Sequence, residues 1–187
     1  MTPIENLPGW WHYQQRMSFG GVLREIDFFH NGNRVGHARL VVFHTGKEPD
    51  PLWALCEHAD IACVMDELDA YLSAHPGGYV WLDRLERLSE HHGVKGNLTK
   101  ALRQVLEPSM LGAPPHYRGL VFPCPFGEGD LPGSPERNSL RDWYAKVLRA
   151  RAVPGTGLME FDLPCTAELA VPDAACQGIP LHAATLS

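Results

Sequence analysis

Residues 79–102 read YVWLDRLERLSEHHGVKGNLTKAL. The first half alternates as a strand: Tyr79, Trp81, Asp83, Leu85 and Arg87 fall on one face, and Val80, Leu82, Arg84, Glu86 and Leu88 on the other. Neither face is purely apolar, so a central strand that lines a cleft along part of its length is expected. A turn carrying Gly93 and Gly96 follows. Asn97 is placed to cap a helix whose inner stripe is Leu98, Ala101, Leu102, Val105 and Leu106, with Pro108 as its stop. A strand that feeds a helix through a turn with free N–H groups is a ready site for an anion such as phosphate.

Working back from this stretch, VLREIDFFH and RVGHARLVVFH are strand-like runs joined by Asn31-Gly32-Asn33. Asn-Gly supplies the positive φ angles of a tight hairpin. Leu23, Ile26 and Phe28 do not share one face, which predicts a bulge or burial on both faces. Residues 12–19 read equally as strand or short helix, and residues 1–17 as an N-terminal arm in which Trp10 and Trp11 pack on the domain. Residues 44–59 read as a loop. Asp60 is placed to cap a helix with Ile61, Val64, Met65, Leu68, Tyr71 and Leu72 inward, ended by Pro76-Gly77-Gly78.

Beyond the stretch, Gly119–Phe122 reads as a strand and residues 125–137 as a surface loop. Ser139 and Asp142 have capping-box spacing for a helix with Leu140, Trp143, Val147 and Leu148 buried. LMEFDL is a final strand, and residues 164–187 form a tail of small and polar residues. Hairpin, helix, strand, helix, strand, helix, strand makes a mixed α/β domain with a crossover after the central strand.

At 187 residues the chain suits one domain, residues 1–163, with a sizeable core. A formal net charge of -6 and the lack of a basic run argue against nucleic-acid binding, which needs clustered Lys and Arg. No apolar run approaches the roughly 18 residues of a membrane span. MTPIENLPGWWHYQQ lacks the basic and apolar regions of a signal peptide. A cytoplasmic protein with no membrane partner is the expectation. The cysteines (Cys56, Cys63, Cys124, Cys165, Cys176) are widely spaced without CxxC, and the histidines are scattered, so neither a disulfide framework nor a metal site is expected.

Three segments, in order, resemble the GNAT superfamily of acyl-CoA-dependent N-acetyltransferases across residues 18–163. They are REIDFFHNGNRVGHARLVVF with its Gly after Arg34-Val35, the stretch from Tyr79 to Leu102, and NSLRDWYAKVLRARAVPGTGLMEFDL from Asn138 to Leu163. The resemblance implies an α/β (α+β) fold: a mixed, mostly antiparallel central sheet, flanked by helices, with a V-shaped splay at its central strands. It implies acetyl-CoA as acyl donor. Backbone at Arg87 and Leu88 would pair with the pantetheine amides. His92, Gly93, Val94, Lys95, Gly96, Asn97 and Leu98 would wrap the pyrophosphate, and Asn138 would contact the cofactor. Tyr144 matches the tyrosine that protonates the leaving thiolate, and Glu86 is placed as general base.

The loop departs from the family pattern of Arg or Gln, two residues, Gly, one residue, Gly or Ala. An ungapped match puts His92, Lys95 and Asn97 at these positions. A shift of one aligns Gly96 but puts Gly93 and Leu98 at the other two. Two readings therefore stand, the first leading and the second its alternative. One is acetyl transfer to a primary amine of a small molecule or protein. The other is a GNAT-fold binding or assembly module without transfer, its tail pairing with a partner or a second copy in a homodimer. Each residue also has a structural reading: Glu86 ion-paired to its neighbours Arg84 and Arg87, Tyr144 in the core, Cys124 a buried thiol, and His91 and His92 in a solvated turn.

Overall fold

The computed structural model describes residues 1–18, 22–46, 64–88, 94–124 and 134–164. Among them lie β1 (Thr2–Pro3), β2 (Trp11–Ser18), β3 (Leu23–His30), β4 (Asn33–His44), α1 (Met65–Ala74) and β5 (Gly78–Arg87). Then come α2 (Val94–Val105), α3 (Pro108–Leu111), β6 (Arg118–Val121), α4 (Pro135–Leu148), β7 (Arg151–Ala152) and β8 (Met159–Asp162). The strands form one mixed sheet in the order β1-β2-β3-β4-β5-β6-β8-β7, antiparallel except for the parallel pair β5 and β6 that α2 connects. This is an α+β domain with a mostly antiparallel open sheet.

The hairpin forms as the sequence predicts. Asn31 and Gly32 take φ of 49° and 81°, and His30 pairs with Asn33. Burial on β3 is two-sided: Leu23 faces one hydrophobic cluster, and Ile26 and Phe28 face the other. The predicted arm is part of the sheet. Residues 11–18 pair with β3 from Trp11↔His30 to Ser18↔Leu23. Trp11 is buried, stacked 4.9 Å from His30 with its indole N–H on the Pro8 carbonyl, while Trp10 stands exposed.

The two clusters lie on opposite faces of the sheet. One joins Ala38, Leu40, Val80 and Leu82 to α2 and α4, and the other joins Val41, Phe43, Tyr79 and Trp81 to Leu68, Tyr71 and Leu72 of α1. On α2, Leu98, Ala101, Leu102 and Val105 are buried at the i, i+3, i+4, i+7 spacing. Each large side chain there contributes roughly 1.5–3 kcal/mol of burial. Leu98 reaches β4 because Gly36 has no side chain: a Cβ there would lie 2.8 Å from Leu98 Cδ1.

Three helix starts differ from expectation. Asn97 does not cap α2, which begins at Val94 and so places Gly96 and Asn97 inside it. Ser139 does not cap α4 either. Ser134 does, its Oγ accepting from the Arg137 N–H at 3.1 Å, with Pro135 in the first turn. A proline there loses no helical hydrogen bond, and this outweighs the Ser139–Asp142 spacing. Pro108 does more than stop α2: it starts α3, which ends at Gly112 in the left-handed region. Asp60, and residues 125–133 and 165–187 of the predicted loop and tail, lie outside the described residues.

Strand β5 departs from strict alternation. Arg84 pairs with Arg39 and Leu82 with Leu40, so Asp83 is an extra residue without a partner on β4. The side-chain phase flips there. Leu85 packs with Val80 and Leu82 rather than with Trp81, and Arg84 and Glu86 lie opposite Arg39 and His37. With the bulge counted, Val80, Leu82 and Leu85 share an apolar face, and Arg84 and Glu86 join the face of Tyr79 and Trp81, which stays mixed. Val35 is a second extra residue, between Phe28↔Gly36 and Phe29↔Arg34.

Candidate functional site

Pairing between β5 and β6 runs from Tyr79↔Arg118 to Leu82↔Val121 and stops. Strand β5 continues to Arg87, still paired to Gly36 of β4. Among the described residues the β6-facing edge of β5 from Asp83 to Arg87 therefore has no strand partner. The bulge sits where this open edge begins. An unpaired strand edge can take an extended ligand by main-chain hydrogen bonds.

Asp83 is the first residue of that edge, and its side chain is 8% exposed. The Trp81 indole N–H lies 3.4 Å from Oδ1 and Arg39 Nη1 lies 3.5 Å from Oδ2. Burial pushes the Asp83 carboxyl up, and Arg39 and Trp81 pull it back only in part. Tyr144 on α4 is buried, edge-on to Trp143 at 5.1 Å between centroids. Burial pushes its phenol well above the ordinary range, and the Cys124 and Asp83 charges push it further. The phenol thus keeps its proton at neutral pH, as a proton donor must. Cys124, just past β6, is half-buried and is not in a disulfide.

The other predicted residues are placed as follows. Glu86 Oε1 is 2.5 Å from Arg84 Nε, each side chain about a third exposed, so the carboxylate is ion-paired. The Leu88 N–H donates to the Val35 carbonyl at 3.0 Å, which removes that amide from the set expected to meet a ligand. The bulge at Val35 is what presents this carbonyl. Arg87 is half-buried, and its Nη1 is buried without a hydrogen-bond partner. Val94, Lys95, Gly96 and Asn97 form the first turn of α2 rather than a loop. The N–H groups of Val94, Lys95 and Gly96 have no acceptor within the helix. Leu98 is core, its side chain against Gly36. Asn138 is exposed, and it sits about 240° around α4 from Tyr144, so the two do not share a face. His92 and Gly93 lie outside the described residues.

Above α1 the same sheet face carries a charged network that the sequence reading did not single out. His37 Nδ1 is 2.9 Å from Asp27 Oδ1, with His37 9% and Asp27 14% exposed. Asp27 also accepts from Arg34 Nε at 2.7 Å and lies 3.6 Å from Arg16. Partial burial pushes the Asp27 carboxyl up, but hydrogen bonds from His37 and Arg34 outweigh it and hold the carboxyl below the usual range. Arg39 bridges Glu25, 3.7 Å away, and Asp83. The signals were present: an acid inside YVWLDRL, another inside REIDFF, and a histidine inside a strong core strand. Which of these groups meet depends on the two bulges, which alternation does not reveal.

A cavity of about 60 Å³ between Arg103, Leu148, Arg149, Asp162 and Pro164 lies outside this constellation. No group of three His, Cys, Asp or Glu among the described residues is arranged to hold a metal ion. No helix among them is long and apolar enough to cross a membrane. The site is that of an α+β domain with an interrupted parallel strand pair, a buried acid and a buried phenol. No protein-family model, no curated protein and no solved structure matches this chain.

Proposed function

We propose that this chain is a GNAT-type acyltransferase that moves an acetyl group from acetyl-CoA to a primary amine, with the sheet splayed between β5 and β6 to admit the donor. The observation that carries the reading is the end of β5–β6 pairing at Leu82↔Val121, beside the buried phenol of Tyr144. The order of elements supports it as well. In the chain the open strand edge precedes α2, the order that a ligand with an extended amide chain and a pyrophosphate requires.

The residues present fit such a donor. Arg87 Nη1, a buried donor without a partner, matches an anion near the start of α2. The first-turn amides of Val94 to Gly96 supply further donors, aided by the helix dipole. Bound there, acetyl-CoA supplies an activated acyl carbon. The protein's part is to hold that carbon against the amine, which lowers the entropic barrier, and to give the leaving sulfur a proton from Tyr144. The Asp83 charge helps to keep that proton on Tyr144 until it is needed.

Calorimetric titration with acetyl-CoA, followed by thiol release with small amines, tests the reading. Binding with a micromolar to sub-millimolar Kd is expected. Tyr144→Phe should keep the Kd within about twofold and lower kcat about a hundredfold or more. Absence of heat at millimolar acetyl-CoA would refute acyl transfer and leave the fold as a binding or assembly module.

A further inference from the structure

We infer that His37, oriented by Asp27, is the general base that takes the acceptor's proton, in place of Glu86; this rests on the acyl-transfer reading above. Three observations carry it. His37 and Asp27 face each other across β3 and β4, with Nδ1 2.9 Å from Oδ1, and both are mostly buried. The carboxylate, at 2.9 Å, is nearer to Nδ1 than Arg34 Nη2 at 3.2 Å, and it favours the tautomer with the proton on Nδ1, which leaves Nε2 as the acceptor. The register sets His37 opposite Glu86 on β5, three residues beyond the bulge, so the ring belongs to the face that an amine must cross to reach the open edge. Glu86 itself is held by Arg84 at 2.5 Å.

The surroundings favour this division of labour. Asp27 is anchored from β2 by Arg16 and from β4 by Arg34, so its carboxylate stays charged and in place. Glu25 is shared between Arg16 and Arg39, and Asp83 pairs with Arg39. The Arg34 guanidinium also lies 3.2 Å from His37 Nδ1, on the same side of the ring as Asp27. Each carboxylate that faces the ring from β3 and β5 thus has an arginine partner.

The step balances as follows. The ammonium form of the acceptor gives one proton to His37 Nε2, directly or through one water. The freed nitrogen pair forms the C–N bond at the thioester carbon. The C–S bond breaks, and its electron pair leaves on sulfur, which takes the Tyr144 proton. The second nitrogen proton returns to Tyr144, and His37 releases the first to solvent. The products are the amide, the free thiol and one proton.

The test uses the full chain, acetyl-CoA, and hydroxylamine, free lysine and spermidine as probe amines. His37→Ala should bind acetyl-CoA as wild type does, yet turn over lysine or spermidine at least a hundredfold more slowly at pH 7. Added imidazole should restore at least a tenth of the lost rate. Hydroxylamine, uncharged at neutral pH, should lose much less. Asp27→Asn should give an intermediate loss, and nitrogen-15 NMR should show a changed His37 tautomer. A His37→Ala rate near wild type, or no rescue by imidazole in a folded variant, overturns the assignment. So does a wild type that binds acetyl-CoA but turns over none of the probes. Failure of wild type to bind acetyl-CoA instead removes the acyl-transfer reading, and this assignment with it.

Discussion

Substituting Gly36 by alanine tests the contact that fixes α2 to the sheet. The new Cβ would meet Leu98 Cδ1 at 2.8 Å, Cδ2 at 3.0 Å and the Glu86 carbonyl oxygen at 3.1 Å. Carbon–carbon contacts are ordinarily about 3.5–4.0 Å, so the closest falls short by about 0.7 Å. Leu98 is fully buried, and the carbonyl belongs to a paired strand. Overpacking of this kind costs about 1–3 kcal/mol. Gly36 is not among the positive-φ residues, so alanine fits its backbone and recovers about 0.4–1 kcal/mol from the unfolded chain. The net expectation is a loss of about 1–2 kcal/mol, read as a lower urea midpoint at unchanged slope by tryptophan fluorescence. Leu98→Ala alone should cost about 2–5 kcal/mol. In the double variant the two costs should fall short of their sum by about 1 kcal/mol, because truncation clears room for the methyl. Strict additivity, or a Gly36→Ala protein as stable as wild type, would refute the packing account.

The remaining expectations use the same measurements. Ser134→Ala removes the cap of α4 and should cost about 1 kcal/mol in urea denaturation. Gly119→Ala drives a Cβ to 2.2 Å from the buried Phe161 ring and should cost about 3 kcal/mol or more, with Phe161→Leu relieving part of it. Asp27 and Asp83 should act oppositely with pH. Asp27 is held below its unfolded value, so its contribution is complete above about pH 4 and fades as the pH falls. Asp83 is held above its unfolded value, so folding favours its protonated form and stability declines as the pH rises from about 4 through the folded value. Asp27→Asn should flatten the acid side of the stability profile and Asp83→Asn the decline above it. In an absorbance titration at alkaline pH, Tyr71, Tyr79 and Tyr144 should resist ionisation past the ordinary range until the protein unfolds.

Local chemistry carried much of the fold. Asn31-Gly32 announced the hairpin, the spacing from Leu98 to Val105 announced α2, and the crossover between β5 and β6 followed from strand–helix–strand order. Helix starts were less legible because several residues offered caps. Ser139 and Asn97 have the right side chains, yet α4 starts at Ser134-Pro135, where the Ser134 Oγ caps and the proline suits the first turn, and α2 starts at Val94. The site was legible by residue type and not by arrangement. Tyr144 and Glu86 were visible candidates, but one extra residue in β5 decides that Glu86 lies beside Arg84 and His37 and that Leu85 turns to the core. A bulge leaves no composition signal, so the partnership of His37 with Asp27 emerged only once the register was known.

Asp83 is also a spare part. Nine residues of β5 have partners on β4, and Asp83 is the tenth. Excising a residue from a central strand normally scrambles everything downstream of the cut. Here the excision would leave a regular ladder, with Leu85 still inward and Glu86 still opposite His37. A chain lacking Asp83 keeps the architecture and loses the carboxylate whose charge acts on the Tyr144 phenol. Architecture and chemistry can thus be separated by a single codon. Among related sequences, a one-residue gap at this place would mark a lineage that kept the scaffold without this carboxylate.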